Sequence, residues 1–168
     1  MKKITVLFVL SALLLLLVSC FSGDEGYDIG RALERPFCAT VSGKLCGVEI
    51  SAQLVAQGGR DGDFYIRYLS GSLSEMIVDR TDGKLSISRG GIEDTGRDGY
   101  RLFLIFQLLF FDEASLLRRE VRNGESLAVF SARRGETRYE MIARKGGIPL
   151  TVSVDKGTYF VIEKLEFI

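Results

Sequence analysis

Histidine is absent from the 168 residues, and with it go the commonest general base and the commonest metal ligand. Triad hydrolases and His-ligated zinc or non-haem iron sites are excluded. Neither sign of charge is in excess, since 22 Lys and Arg cancel 22 Asp and Glu. The chain is therefore neither an acidic tail nor a basic nucleic-acid coat, and no nucleic-acid partner is expected.

What is present begins at the amino terminus. Lys2 and Lys3 precede an apolar run from Ile4 to Val18, broken only by Thr5 and Ser11, which stops at Ser19-Cys20 before the polar Ser22-Gly23-Asp24-Glu25. That order of segments is a secretory signal peptide over residues 1–19. A transmembrane anchor is the competing reading. Fifteen residues at about 1.5 Å each reach only about 22 Å, short of a hydrocarbon core of roughly 30 Å.

The end of the leader carries more information than a generic cleavage site. Leu17-Val18-Ser19-Cys20 resembles the lipobox of bacterial lipoproteins, with a branched residue, a small residue and then the cysteine. The resemblance implies a diacylglycerol on the Cys20 sulfur, cleavage after Ser19, and an extracytoplasmic protein anchored to the bacterial cell membrane. Two or more acyl chains give durable anchoring where one gives marginal binding.

The chain after position 19 has 149 residues, the usual size of one domain. A domain of that size buries roughly 68–70% of its unfolded surface and needs no disulfide to fold. Residues 20–35 are polar and Gly-containing up to about Glu34, which suits a tether. Residues 36–168 read as one folded domain. After Pro36 the pattern becomes short period-two runs closed by Gly, Asp or Asn, the mark of antiparallel β structure.

The clearest strand runs from Val48 to Leu54, with Val48, Ile50, Ala52 and Leu54 on one side and Glu49, Ser51 and Gln53 on the other. Cys46-Gly47 and Asp82-Gly83 offer tight turns around it and between Met76–Val78 and Leu85–Ile87. Phe64 to Leu69 is another strand. The apolar run Leu102 to Phe111 has no resolving periodicity, and its length predicts a buried helix over 101–111, with a further helical turn reaching 120. Strands resume after Asn123-Gly124. The sum is an α+β chain, mainly antiparallel β, with eight or nine strands interrupted once by a helix.

Several positions are similar to the lipoprotein-carrier superfamily typified by LolA and LolB, and to small clostridial-type lipoproteins of that fold. They are Pro36-Phe37, Ala39, Val41, Gly43, Gly47, Glu49-Ile50 and Ala52, and near the end Gly147-Ile148-Pro149 before a closing strand Val161 to Phe167. The resemblance implies a strongly curved, unclosed half-barrel sheet with a helix covering its concave face, able to hold acyl chains. No ligand residue of the carriers has a counterpart here. Val48, Ile50, Leu54, Phe64, Ile66, Tyr68, Phe103, Phe106 and Phe110 are the candidates for that concave face, and the same inventory serves a packed core or an apolar pocket.

Cys38 and Cys46 lie eight residues apart. They face each other if their hairpin pivots near Ser42 and stay free if it pivots at Cys46-Gly47, as the family spacing implies, so free thiols are expected. The carboxylates Asp61, Asp63, Asp79, Asp82, Glu93 and Asp94 sit in turn-like stretches. Asp79-Arg80-Thr81-Asp82-Gly83 lacks the ligand count of a calcium loop. Residues 118–145 carry eight basic and four acidic side chains, so Arg118, Arg119, Arg122, Arg133 and Arg134 are candidates for contact with an anionic surface, against the plainer reading of sheet exterior. No metal, cofactor or catalytic constellation emerges, and no enzyme is expected. The expected function is that of an anchored lipoprotein binding a lipid or other apolar ligand, the alternative being an envelope module that contacts or senses another protein without a pocket.

Overall fold

The computed structural model describes residues 27–90, 92–94 and 101–168; the leader, Ser19 and Cys20 lie outside these. The described chain opens with a short helix, α1 (Ile29–Ala32), followed by β1 (Phe37–Leu45), β2 (Val48–Ala56), β3 (Phe64–Tyr68), a single 3-10 turn (Gly71–Leu73), β4 (Met76–Thr81), β5 (Lys84–Arg89) and β6 (Ile92–Asp94). After helix α2 (Leu104–Leu109) come β7 (Glu113–Arg122), β8 (Glu125–Arg134), β9 (Thr137–Arg144), β10 (Ile148–Ser153) and β11 (Tyr159–Phe167).

All eleven strands form one sheet in the order β6-β5-β4-β3-β2-β1-β11-β10-β9-β8-β7. Two meanders run outward from the centre, where β1 pairs antiparallel with β11. β6 and β7 are the free edges, so the sheet is unclosed, and the connector that carries α2 passes from one edge to the other. Three hairpins close through two-residue turns with both residues at positive φ: Cys46-Gly47, Asp82-Gly83 and Asn123-Gly124. That geometry matches the right-handed twist of the strands, and Asn-Gly or Asp-Gly adopts it at least cost.

Alternation places one apolar row per strand on the inner side. Ile50, Ala52, Leu54 and Ala56 of β2, Phe64, Ile66 and Tyr68 of β3, Ala128, Phe130 and Ala132 of β8, and Tyr139, Met141 and Ala143 of β9 join one buried cluster. Val48 is only half buried at the start of its strand. Ile105, Phe106, Leu108 and Leu109 of α2 enter the same cluster, so the helix covers the concave side of the sheet.

Two sequence expectations are corrected. The helix is six residues long, and Glu113 to Arg122, expected to continue it as far as 120, is a strand. Phe110 is already extended, and the Asn123-Gly124 turn folds β7 back onto β8 from Glu113 opposite Arg133 to Arg122 opposite Glu125, with one bulge between Leu116 and Arg118. Ladder bonds to β8 outweigh a local helical preference that had no apolar face to bury. Among the described residues the strand count is eleven, because the Ile92–Asp94 segment and the whole of β7 add to the upper expectation of nine. In addition, folded structure reaches back into the segment assigned to the tether, with Ile29 and Leu33 fully inside the core.

Candidate functional site

The concave face is assembled from both halves of the chain. Phe64 and Ile66 from β3 and Ile50 and Leu54 from β2 form its floor, and α2 lays Phe106 over it with ring centroids of Phe64 and Phe106 4.2 Å apart. Phe103 stacks on Phe64 at 6.0 Å and Phe110 tilts against Phe106 at 5.0 Å. Seven of the nine candidates (Ile50, Leu54, Phe64, Ile66, Tyr68, Phe106 and Phe110) are buried, while Phe103 and Val48 are half buried. They fill space. Hollows of about 310 and 280 Å³ open on the outer face, the first beside Cys38, Thr40 and Lys164 and the second beside Leu127, Ile142 and Leu150.

Two tyrosines strap the connector down. Tyr68 on β3 donates its hydroxyl to the Leu102 carbonyl at 2.5 Å, and Tyr139 on β9 donates to the Phe110 carbonyl at 3.4 Å. Burial pushes both phenols well above the usual tyrosine range, so each remains a neutral donor. Between them Arg80 of β4 turns inward over the rings of Phe64 and Phe106, 5.1 and 5.5 Å from their centroids. Its Nη2 donates to the Arg60 carbonyl at 3.3 Å and to the Gly62 carbonyl, while Nε is buried without a partner among the described residues. Sequence reasoning missed Arg80 and Tyr139. Arg80 is two residues from Val78 on a period-two strand, which is the signal that placed it inside.

The cover is incomplete at the β7 side. Leu116 lies opposite Phe130 and Val121 opposite Ser126, so both share the concave side, yet Leu116 is 36% and Val121 75% exposed. Among the described residues this rim is an exposed apolar stretch of the concave side.

The arginine candidates do not gather into a bare cationic patch. Arg118 lies 3.6 Å from both Glu120 and Glu140, Arg122 lies 2.6 Å from Glu120, Arg133 is 2.7 Å from Glu113 and Arg134 3.3 Å from Asp112. Arg119 instead turns to the concave side, 5.7 Å above the Tyr27 ring. Cys38 and Cys46 are free and sit at opposite ends of β1, whose nine residues span roughly 30 Å. Of the carboxylates expected in turns, Asp79 is instead within β4 and Glu93 and Asp94 within β6; Asp79 accepts from Thr81 Oγ1 at 2.9 Å and from Ser86 Oγ, across the ladder, at 2.8 Å. Among the described residues no three metal-ligating side chains converge, and no helix is long and apolar enough to cross a membrane.

No family model and no curated protein matches this sequence. Solved structures do. An uncharacterized conserved protein from Thermus thermophilus aligns over 83% of each chain at 16% identity with a TM-score of 0.58. MucB aligns over 83% of this chain and 56% of its own at 17% identity with a TM-score of 0.54. The complex of MucA and MucB from Pseudomonas aeruginosa gives a TM-score of 0.51 at 21% identity, covering 82% of this chain and 54% of that one. This chain spans about half the length of MucB. MucB has a LolA-like fold, and the likeness shows that fold here. Nothing in the comparisons bears on a clostridial-type origin.

Proposed function

We propose that this chain is a non-catalytic, extracytoplasmic lipoprotein, tethered through diacylglycerol on Cys20, that binds an acyl chain or similar apolar ligand along the open β7–β8 side of its concave face. The observation that carries the ligand site is the exposed inward row of Leu116 and Val121 beside the buried Phe130. Large apolar side chains on a concave wall lose unfavourable hydration when a ligand covers them. Support for the anchor comes from the leader, with its apolar run ending in Leu17-Val18-Ser19-Cys20. The packed aromatic cluster under α2 is the floor behind this site and takes no part in contact unless the connector moves.

The test is titration of the chain with a fluorescent fatty-acyl probe. Leu116→Asp and Val121→Asp are expected to weaken binding tenfold or more while leaving the thermal transition in place, since both side chains are on the surface. A chain that copurifies with no lipid by native mass spectrometry and shows no affinity for such probes removes the reading. Cys20→Ser tests the anchor separately, and is expected to move the chain from the membrane to the soluble fraction.

A polypeptide partner is the second reading, favoured by the MucB structures solved with MucA bound. A stoichiometric partner recovered by pull-down and lost in Arg133→Glu/Arg134→Glu would favour it over lipid.

A further inference from the structure

We infer that the free edge of β7 is a pairing surface for a second copy of this chain, joining two sheets antiparallel through β7 of each. The inference does not depend on the ligand proposed above.

The two edges of the sheet are unlike. β6 has three residues, whereas β7 has ten, contains no proline, and among the described residues pairs only with β8. A free edge of that length presents a row of unpaired N–H and C=O groups that another strand can take up. Charged residues and a bulge are also the devices by which edges are guarded, so the arrangement of those features decides between a guarded edge and a pairing one.

The bulge falls at Leu117, between Leu116 opposite Phe130 and Arg118 opposite Val129. It inverts the alternation, so that Glu113 and Ser115 share the outer face with Arg118, Glu120 and Arg122, while Ala114 and Leu116 share the inner face with Arg119 and Val121. A bulge at the middle of the strand is what keeps the faces matched in the fully overlapped two-fold register, where residues 117 and 118 oppose each other across the axis. When Glu113 of one copy is set opposite Arg122 of the other, all ten residues overlap, and every outer residue meets an outer one except Arg118, which meets the bulged Leu117.

In that register the side chains agree as well. Glu113 faces Arg122 twice, once on each side of the axis, Ser115 faces Glu120, and Ala114 faces Val121. The two remaining pairs set a leucine against the stem of an arginine. No like charges stand opposite each other. A slip of two residues removes both Glu113–Arg122 pairs and sets Arg118 against Arg119 in one direction or Glu113 against Glu120 in the other, and a slip of one mismatches the faces, so the charges that repel other registers favour this one. Full overlap supplies about ten backbone hydrogen bonds. The inner rows of the two copies then adjoin, and the concave surface continues from one sheet into the next.

The test is cross-linking of the full chain in bacterial membranes, in a Cys38→Ser/Cys46→Ser parent, with Ser115→Cys and Glu120→Cys added and a short bis-maleimide as the probe. A covalent dimer absent from the parent is expected. Adding Glu113→Arg should lower its yield about fivefold, since two attractive cross-strand pairs become repulsive, and adding Arg122→Glu to that variant should restore it. Failure to cross-link, a yield indifferent to Glu113→Arg, or a yield that Arg122→Glu does not restore would each overturn the inference.

Discussion

Arg60 and Arg134 meet on one carboxylate oxygen: their Nη1 atoms lie 2.7 and 3.3 Å from Oδ1 of Asp112. Arg60 belongs to the loop between β2 and β3, and Arg134 to the end of β8. Five strand spacings separate β2 from β8, about 24 Å in a flat sheet. One side chain spans that gap only because the sheet is strongly curved. Asp112 stands where the connector leaves α2, so the same carboxylate fastens the cover to both halves of the sheet.

Asp112→Asn should lower the thermal midpoint at pH 7. The Gly135 N–H bonded to Oδ2 at 2.8 Å, with Arg60 and Arg134 next, holds the Asp112 carboxyl below its usual range. A depressed carboxylate contributes stability above its unfolded value, and that contribution is lost as pH falls through the folded one. The difference in midpoint between wild type and Asp112→Asn is therefore expected to shrink below about pH 4. Thermal scans by circular dichroism from neutral to acid pH check this, and a difference that persists unchanged at low pH contradicts it.

The two straps make an alkaline prediction. Tyr68 and Tyr139 are raised by burial, so their stabilising neutral form is present below the unfolded value of about 10 and its benefit is lost as pH rises through the folded values. In the ultraviolet titration of native protein, Tyr68→Phe/Tyr139→Phe should leave the amplitude below about pH 11 unchanged, whereas in urea the same variant loses two of six phenols. Tyr68→Phe alone should cost about 1–2 kcal/mol, because the buried Leu102 carbonyl loses its donor.

Phe106→Ala should destabilise by about 3–5 kcal/mol in urea unfolding. The ring is buried between Phe64 and Phe110 with Arg80 over it, and helix, floor and cation lose contact together. Leu117→Ala, on an exposed side chain, is the control and should change stability by less than about 0.5 kcal/mol.

A pair of glycines tests the docking of the first described segment. Gly147 and Gly124 have similar positive φ, 74° and 80°, so alanine brings comparable backbone strain at either place. At Gly124 a new Cβ meets open space, and at Gly147 it runs into the Asp28 carbonyl and the Ile29 amide. Gly147→Ala is expected to cost roughly 1–3 kcal/mol more than Gly124→Ala by calorimetry. Equal costs would show that the turn before α1 is not seated there.

Much of the sheet was legible because its signals are local. Alternation marked the inner rows of β2 and β3, and the Asp-Gly and Cys-Gly pairs marked two hairpins, which also settles why Cys38 and Cys46 are free: a pivot at Cys46-Gly47 places one at the start of β1 and the other just past its end. β7 was misread because Leu116-Leu117-Arg118-Arg119 follows an apolar run directly, and nothing short of its ladder with β8 distinguishes strand from helix there. The ring partner of Arg80 on α2 and the fastening role of Asp112 were illegible for the same reason, as their partners lie 26 and 52 residues away at the farthest along a chain whose curvature brings them together.

Read alone, the sequence determined the absence of histidine chemistry, the antiparallel class and the faces of the best strands, since composition and two-residue periodicity are properties of neighbouring positions. Only the tertiary structure decided that the candidate aromatics Phe64, Phe106 and Phe110 are buried against one another, that the arginines of 118–134 stand among acids or over a ring, and that the ten-residue edge strand β7 pairs on one side alone among the described residues. Those outcomes depend on which residues the curl of eleven strands brings face to face, and separation along the chain holds no record of it.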